Sequence, residues 1–143
     1  MSRQIFVNLP VGDLDRSVAF FTRLGFTFNP QFTNEKATCM VVADDIFVML
    51  LVRQFFQTFT SKTIIDARKD IEVLMALSCA SRAEVDEMVR KALAAGGTVP
   101  GPPQDLGFMY SHDFEDPDGH VWEPFYMEPG AAPDEQPPRA DPS

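Results

Sequence analysis

The residues of this chain best suited to chemistry lie near its end, in the stretch EDPDGHVWEPF from Glu115 to Phe125. A turn at Asp116 to Gly119 leads into a run where Glu123 alternates with Val121 and Phe125. If those two face inward, the carboxylate does as well. Desolvation disfavours the charged form of a carboxylate among apolar neighbours and raises its pKa. Such a group suits a general acid or base, a hydrogen-bond acceptor for a ligand, or one ligand of a metal ion. The plain alternative is a carboxylate satisfied by backbone amides or by Tyr110. His112 offers a second group. With a four-residue loop at 116–119, Glu115 faces His120 and, counting outward, His112 lies across from Glu123 on the same side of the hairpin. A register shift of one residue separates the pair, and a solvent-facing His112 on the half-polar run MYSHDF is the simpler reading. His120 is expected to cap or decorate the turn. The candidate catalytic residues are thus Glu123 and His112, and Glu123 is also the candidate metal ligand.

Around them, Asn8, Met49, Phe108, Tyr110 and Phe125 are expected to line a ligand pocket, joined by Leu51 and by Trp122 or its neighbours. Methionines and aromatic rings at strand spacing are more often core, so only a cleft in the fold singles these positions out.

The elements that must position these groups come in two similar sets. IFVNLPV (Ile5 to Val11) reads as a strand. Asp13 reads as an N-cap, followed by a helix with Leu14, Val18, Phe21 and Leu24 on one face and a stop at Gly25. Strand candidates follow at Phe26 to Phe28, Ala37 to Val42 and Ile46 to Val52. The order then repeats: a strand from Glu72 to Ser78, an S-x-x-E capping box at Ser81 and Glu84, and a helix striped by Val85, Met88, Val89, Ala92 and Leu93. Further strands are expected at Thr98-Val99, Phe108 to Phe114 and His120 to Met127. A duplicated βαβββ unit in an α+β domain is the organising reading. Module one spans about 1–54 and module two about 71–127, with a connector at about 55–70. Phe55, Phe56 and Phe59 are too apolar for a connector left in water; they are expected to pack, or to form a lid over a pocket. Residues 128–143 carry five prolines and no large apolar side chain, which suits a mobile acidic tail.

At 143 residues the chain is long enough for one domain with its own core. A formal charge of −9 with only 12 scattered lysines and arginines argues against a nucleic-acid partner. No segment has the apolar length of a membrane span, and the N-terminus lacks a signal-peptide core. Cys39 and Cys79 sit far apart in apolar runs, as buried free thiols in a reducing compartment do, so a cytoplasmic location is expected. There is no phosphate-binding glycine loop and no nucleophile elbow.

Two stretches resemble the vicinal oxygen chelate superfamily, which includes glyoxalase I, extradiol dioxygenases and bleomycin-resistance proteins. VNLPVGDLDRSVAFFTRLGF (Val7 to Phe26) is similar to its opening strand and helix, and FEDPDGHVWEPF (Phe114 to Phe125) to its closing hairpin. The resemblance implies two βαβββ modules curving around a cleft, the glyoxalase-like fold, and a homodimer. In the metal-using branches it also implies a divalent ion held by the first and last strands of each module. Here the opening-strand place falls on Phe6, with Asn8 two further on, and its counterpart in the second half on Val73 or Leu74, with Glu72 the nearest carboxylate. Met49 stands opposite Glu123 in the repeat. One of the four expected ligands is therefore a metal-binding residue, whereas a catalytic zinc or iron wants about three. Two functions follow: a glyoxalase-related lyase or isomerase acting on a small organic molecule, with Glu123 as base or residual ligand, or a binding protein of the bleomycin-resistance type that needs no metal. One fold hosts many functions, so the resemblance does not choose between them.

Overall fold

The computed structural model describes residues 3–130; the expected tail lies outside the described residues beyond Gly130. In the first module β1 (Ile5–Val11) leads to α1 (Leu14–Arg23). Asp13 adopts an extended conformation, and its Oδ1 accepts from Arg16 N at 3.1 Å, satisfying an amide that the first helical turn would otherwise orphan. Next come β2 (Thr27–Asn29), β3 (Ala37–Ala43) and β4 (Ile46–Val52), assembled in the order β1-β4-β3-β2 with β1 parallel to β4. Alternation sorts the side chains of this sheet. Leu9, Val11, Val48 and Leu50 are buried in the core, while Phe6 and Phe47 stack on the opposite face at 4.7 Å.

The second module repeats the plan with β5 (Leu74–Ser78), α3 (Arg82–Ala94), β6 (Gln104–Asp105), β7 (Met109–Ser111), β8 (Phe114–Glu115) and β9 (Val121–Met127). Its order is β5-β9-β7-β6, with β8 also on β9 and β5 parallel to β9. The single strand expected over Phe108 to Phe114 is interrupted at 112–113, and that expected at Thr98-Val99 reduces to one bridge, Thr98 to Glu115. Ser81 Oγ accepts from Glu84 N at 3.1 Å, so the first half of the capping box forms.

One core joins the two modules. Phe20 and Phe21 of α1 meet Trp122 and Phe114, with ring centroids 5.0 Å apart for Phe21–Trp122 and 6.1 Å for Phe20–Phe114. Trp122 is fully buried there, and its Nε1 donates to Asp116 Oδ2 at 3.0 Å. It belongs to this core and not to a pocket lining, because β9 turns its even-numbered residues toward the helices. Burying each such ring contributes about 1.5–3 kcal/mol.

Between the modules the chain forms α2 (Arg53–Phe56) and a single 3-10 turn at Gln57–Phe59. Phe55 and Phe56 are half-buried, but Phe59, expected to pack, is 68% exposed and meets the Phe55 ring edge to face. The connector then lies on the closing hairpin. Arg68 Nη2 donates to Pro117 O at 2.6 Å, and Gly119, at φ +94°, leaves so little room that a Cβ there would sit 2.8 Å from Arg68 N.

Candidate functional site

The hairpin carrying Glu123 pairs Glu115 with Val121 and Ser111 with Phe125, one residue away from the expected register. The cause lies in the turn. Asp116 N donates to His120 O, while Asp116 Oδ1 accepts from both Asp118 N and His120 N at 3.0 Å. Asp116 therefore pairs with His120, and the loop shortens to Pro117, Asp118 and a positive-φ Gly119. Burial pushes the Asp116 carboxyl up from its ordinary value, against the pull of His120 and of the Trp122 hydrogen bond.

With that register His112 does not lie opposite Glu123; its amide donates to Pro124 O at 3.3 Å. Both residues nevertheless line one cavity of about 270 Å³, together with Ser111, Asp113 and the loop at 100–104. His112 Nε2 donates to Gly101 O at 2.7 Å. A carbonyl only accepts, so this nitrogen carries the proton and Nδ1 is the basic one. Glu123 is half-buried, with Oε1 shielded from solvent.

The resemblance implies a metal held between the first and last strands of each module. Asn8 pairs with Met49 across β1 and β4, and Ala76 pairs with Glu123 across β5 and β9. Met49 and Glu123, matched in the repeat, thus have Asn8 and Ala76 as their neighbours on the first strands; Phe6 pairs with Phe47 and Leu74 with Val121 instead, each two residues away along its strand. An amide, a thioether, a methyl and one carboxylate do not make a donor set for zinc or iron. Among the described residues no three His, Cys, Asp or Glu side chains converge on one point. The residues present do not fit a catalytic metal.

A larger cavity, about 450 Å³, lies where the modules meet. Its walls come from β1 (Val7, Leu9, Pro10), the connector (among others Phe56, Ile64, Ile65 and Ala67), the residues just before β5 (Ile71, Glu72, Val73) and the hairpin (Gly119, His120, Val121). The lining is mainly aliphatic, with Lys62, Asp70 and Glu72 among the polar groups. A volume of this size suits a small organic molecule. The hairpin is tied to β1 here, since His120 Nε2 donates to Pro10 O at 2.7 Å.

Of the residues expected to line a pocket, Asn8 is on this wall, and Met49 adjoins it through strand pairing. Phe125 is half-buried on β9 of the second sheet, and Phe108 is half-buried in the bend just before β7. Tyr110 lies against α3, its hydroxyl donating to Asp86 Oδ1 at 2.5 Å and its ring under the Arg82 guanidinium. That hydrogen bond first, and burial second, push the Tyr110 hydroxyl up to about 12. Sequence reasoning did not find the connector's Ile64, Ile65 and Ile71 as a wall. The available signal was no more than the pair Ile64-Ile65, since the charged stretch DARKD separates Ile71 from it.

Comparison with known proteins agrees with this architecture. Residues 3–43 match the family profile described as Bleomycin resistance protein-like N-terminal. Among solved structures, a hypothetical protein from S. aureus is similar with a TM-score of 0.76 and 28% identity, over 89% of this chain and 95% of that one. A glyoxalase/bleomycin resistance protein/dioxygenase family enzyme from Burkholderia phytofirmans PsJN follows at 0.75 and 18% identity, over 88% and 99%. A glyoxalase-related enzyme from Fulvimarina pelagi gives 0.73 and 22%, over 88% of each chain. No curated protein matches the chain.

Proposed function

We propose that the chain is a member of the vicinal oxygen chelate superfamily and that it binds a small organic molecule without a metal, in the aliphatic cavity between its modules. The observation that supports this reading is the cavity itself: about 450 Å³, walled by both modules and the connector, and lined mostly by carbon. Apolar walls favour a ligand by removing its carbon surface from water, about 25 cal/mol per Å² before the costs of association. The test is a fluorescence titration with the uncharged dye N-phenyl-1-naphthylamine. One site per chain is expected, and it should be lost when Ala67→Phe fills the cavity. Absence of binding, or binding that Ala67→Phe leaves intact, would contradict the reading.

A second reading rests on Glu123. Its shielded Oε1 and the neighbouring His112 in the smaller cavity suit proton transfer in a lyase or isomerase. We further propose that the working form is a homodimer, because Ile5 at 55%, Phe6 at 45% and Ile46 at 44% leave apolar side chains in solvent where β1 and β4 begin. Light scattering is expected to give twice the chain mass for the natural sequence and a monomer for Phe6→Asp.

A further inference from the structure

A second cavity, also about 450 Å³, opens beside the aliphatic one and shares Pro10, Ala67 and His120 with it. Its character is opposite. Arg16, Arg53 and Arg68 line it together with Asp13, Asp66 and Asp118. The aspartates are engaged in the chain's own hydrogen bonds. Asp13 caps α1, Asp66 Oδ1 accepts from Arg68 N at 3.0 Å, and Asp118 takes Gly12 N at 2.8 Å, Arg16 Nη2 at 3.1 Å and Ser17 Oγ at 3.3 Å.

Arg16 is thereby neutralised, but Arg53 and Arg68 are not. Among the described residues neither has a carboxylate within ion-pairing distance. Arg53 donates to Ile65 O and Ile64 O at 3.4 Å each, and Arg68 to Pro117 O. A guanidinium carries about five N–H donors in a rigid fork, so both retain donors beyond these carbonyls. In a protein of charge −9, a lining in which three arginines balance three aspartates, with Arg53 and Arg68 outside any ion pair among the described residues, is locally less acidic than the whole.

We infer that the ligand of the aliphatic cavity carries one anionic group, received by Arg53 and Arg68, while its hydrocarbon body lies against Val7, Ile65 and Val73. This class of molecule, an apolar body with a carboxylate or phosphate head, deepens the proposed binding function and rests on it. Planar, charge-assisted hydrogen bonds from guanidinium to an oxyanion are about twice as strong as neutral ones and supply the selectivity that carbon walls cannot.

The test compares two dyes of the same fused body: N-phenyl-1-naphthylamine, uncharged, and 8-anilinonaphthalene-1-sulfonate, which adds one anion. At low ionic strength the sulfonate is expected to bind at least about tenfold tighter to the natural protein, a difference of about 1.4 kcal/mol. R53Q and R68Q, separately and together, should shrink that ratio, to under about threefold in the double variant. R90Q, on the outer face of α3 where Arg90 pairs with Glu87, should leave it alone. Competition by phenylbutyrate and by phenylbutyl phosphate then distinguishes a carboxylate from a phosphate head, and displacement by either that weakens in the arginine variants supports the inference. Equal affinity of the natural protein for both dyes overturns the anion assignment and leaves the aliphatic site standing. A ratio that survives in variants whose melting temperature shows them folded overturns it equally. Failure of both dyes to bind overturns the binding reading and this inference together.

Discussion

His120 Nε2 donates to Pro10 O at 2.7 Å, so the closing hairpin of the second module is hydrogen-bonded to the opening strand of the first. Both residues stand in the wall between the aliphatic and the arginine-lined cavities. The junction that holds the modules together is also the partition of the candidate site, and disturbing one disturbs the other.

Asp118 is the second anchor of this junction. It accepts from Gly12 N, Arg16 Nη2 and Ser17 Oγ, and its side chain is 11% exposed. Asp118→Ala leaves those donors without their acceptor and is expected to cost about 1–3 kcal/mol. Asp118→Asn, which keeps one oxygen, should cost less. Urea denaturation measures both, and an unmoved midpoint for Asp118→Ala would contradict the role.

Gly119→Ala probes the contact between hairpin and connector. At φ +94°, with Arg68 N 2.8 Å from the new Cβ, the substitution meets both backbone strain and backbone atoms that have little room to move. A loss of about 1–3 kcal/mol is expected, together with weaker dye binding as the connector shifts. Gly101→Ala, with nothing within 4 Å and no positive φ, is the control expected to be near neutral.

These predictions show where the sequence was legible. The duplicated βαβββ plan followed from strand alternation, the Asp13 cap and the Ser81 cap, all of which are local signals. The hairpin register did not. It depends on Asp116 pairing with His120 through both backbone and side chain, a choice between three and four loop residues that composition leaves balanced. Parallel pairing sets Asn8 beside Met49 and Ala76 beside Glu123, each two residues beyond the expected Phe6 and Leu74, across sequence separations that no local pattern encodes. The aliphatic cavity escaped notice because half its wall is connector, whose Ile64, Ile65 and Ile71 obey no strand or helix period.

Cysteine chemistry gives a prediction in pH. Burial, then the Glu84 carboxylate, push the Cys79 thiol up to about 11 from an ordinary 9.0. Alkylation by iodoacetamide should therefore be slow at pH 8 and rise only toward pH 11 in the folded protein. Glu84→Gln removes a negative charge that opposes the thiolate, so the profile should move to lower pH. Because the folded value exceeds the unfolded one, the associated stability is full below pH 9.0 and falls as pH rises through 11. A labelling midpoint near 9 would contradict the assignment.

Glu123→Gln separates the two functional readings. The side chains are nearly equal in size, so the fold should persist, and if the aliphatic cavity is the binding site the dye affinity should change by less than about twofold. Loss of binding with an intact melting transition would move the site to the smaller cavity and favour the proton-transfer reading.

The central claim, a metal-independent site between the modules, is tested most directly by mapping N-phenyl-1-naphthylamine onto the ¹⁵N-labelled protein by NMR, with a chelator present throughout. Amide shifts concentrated at Val7, Ala67, Val73 and Gly119 are predicted. Shifts centred on Ser111, Asp113 and Glu123, or none until a divalent metal replaces the chelator, would contradict it.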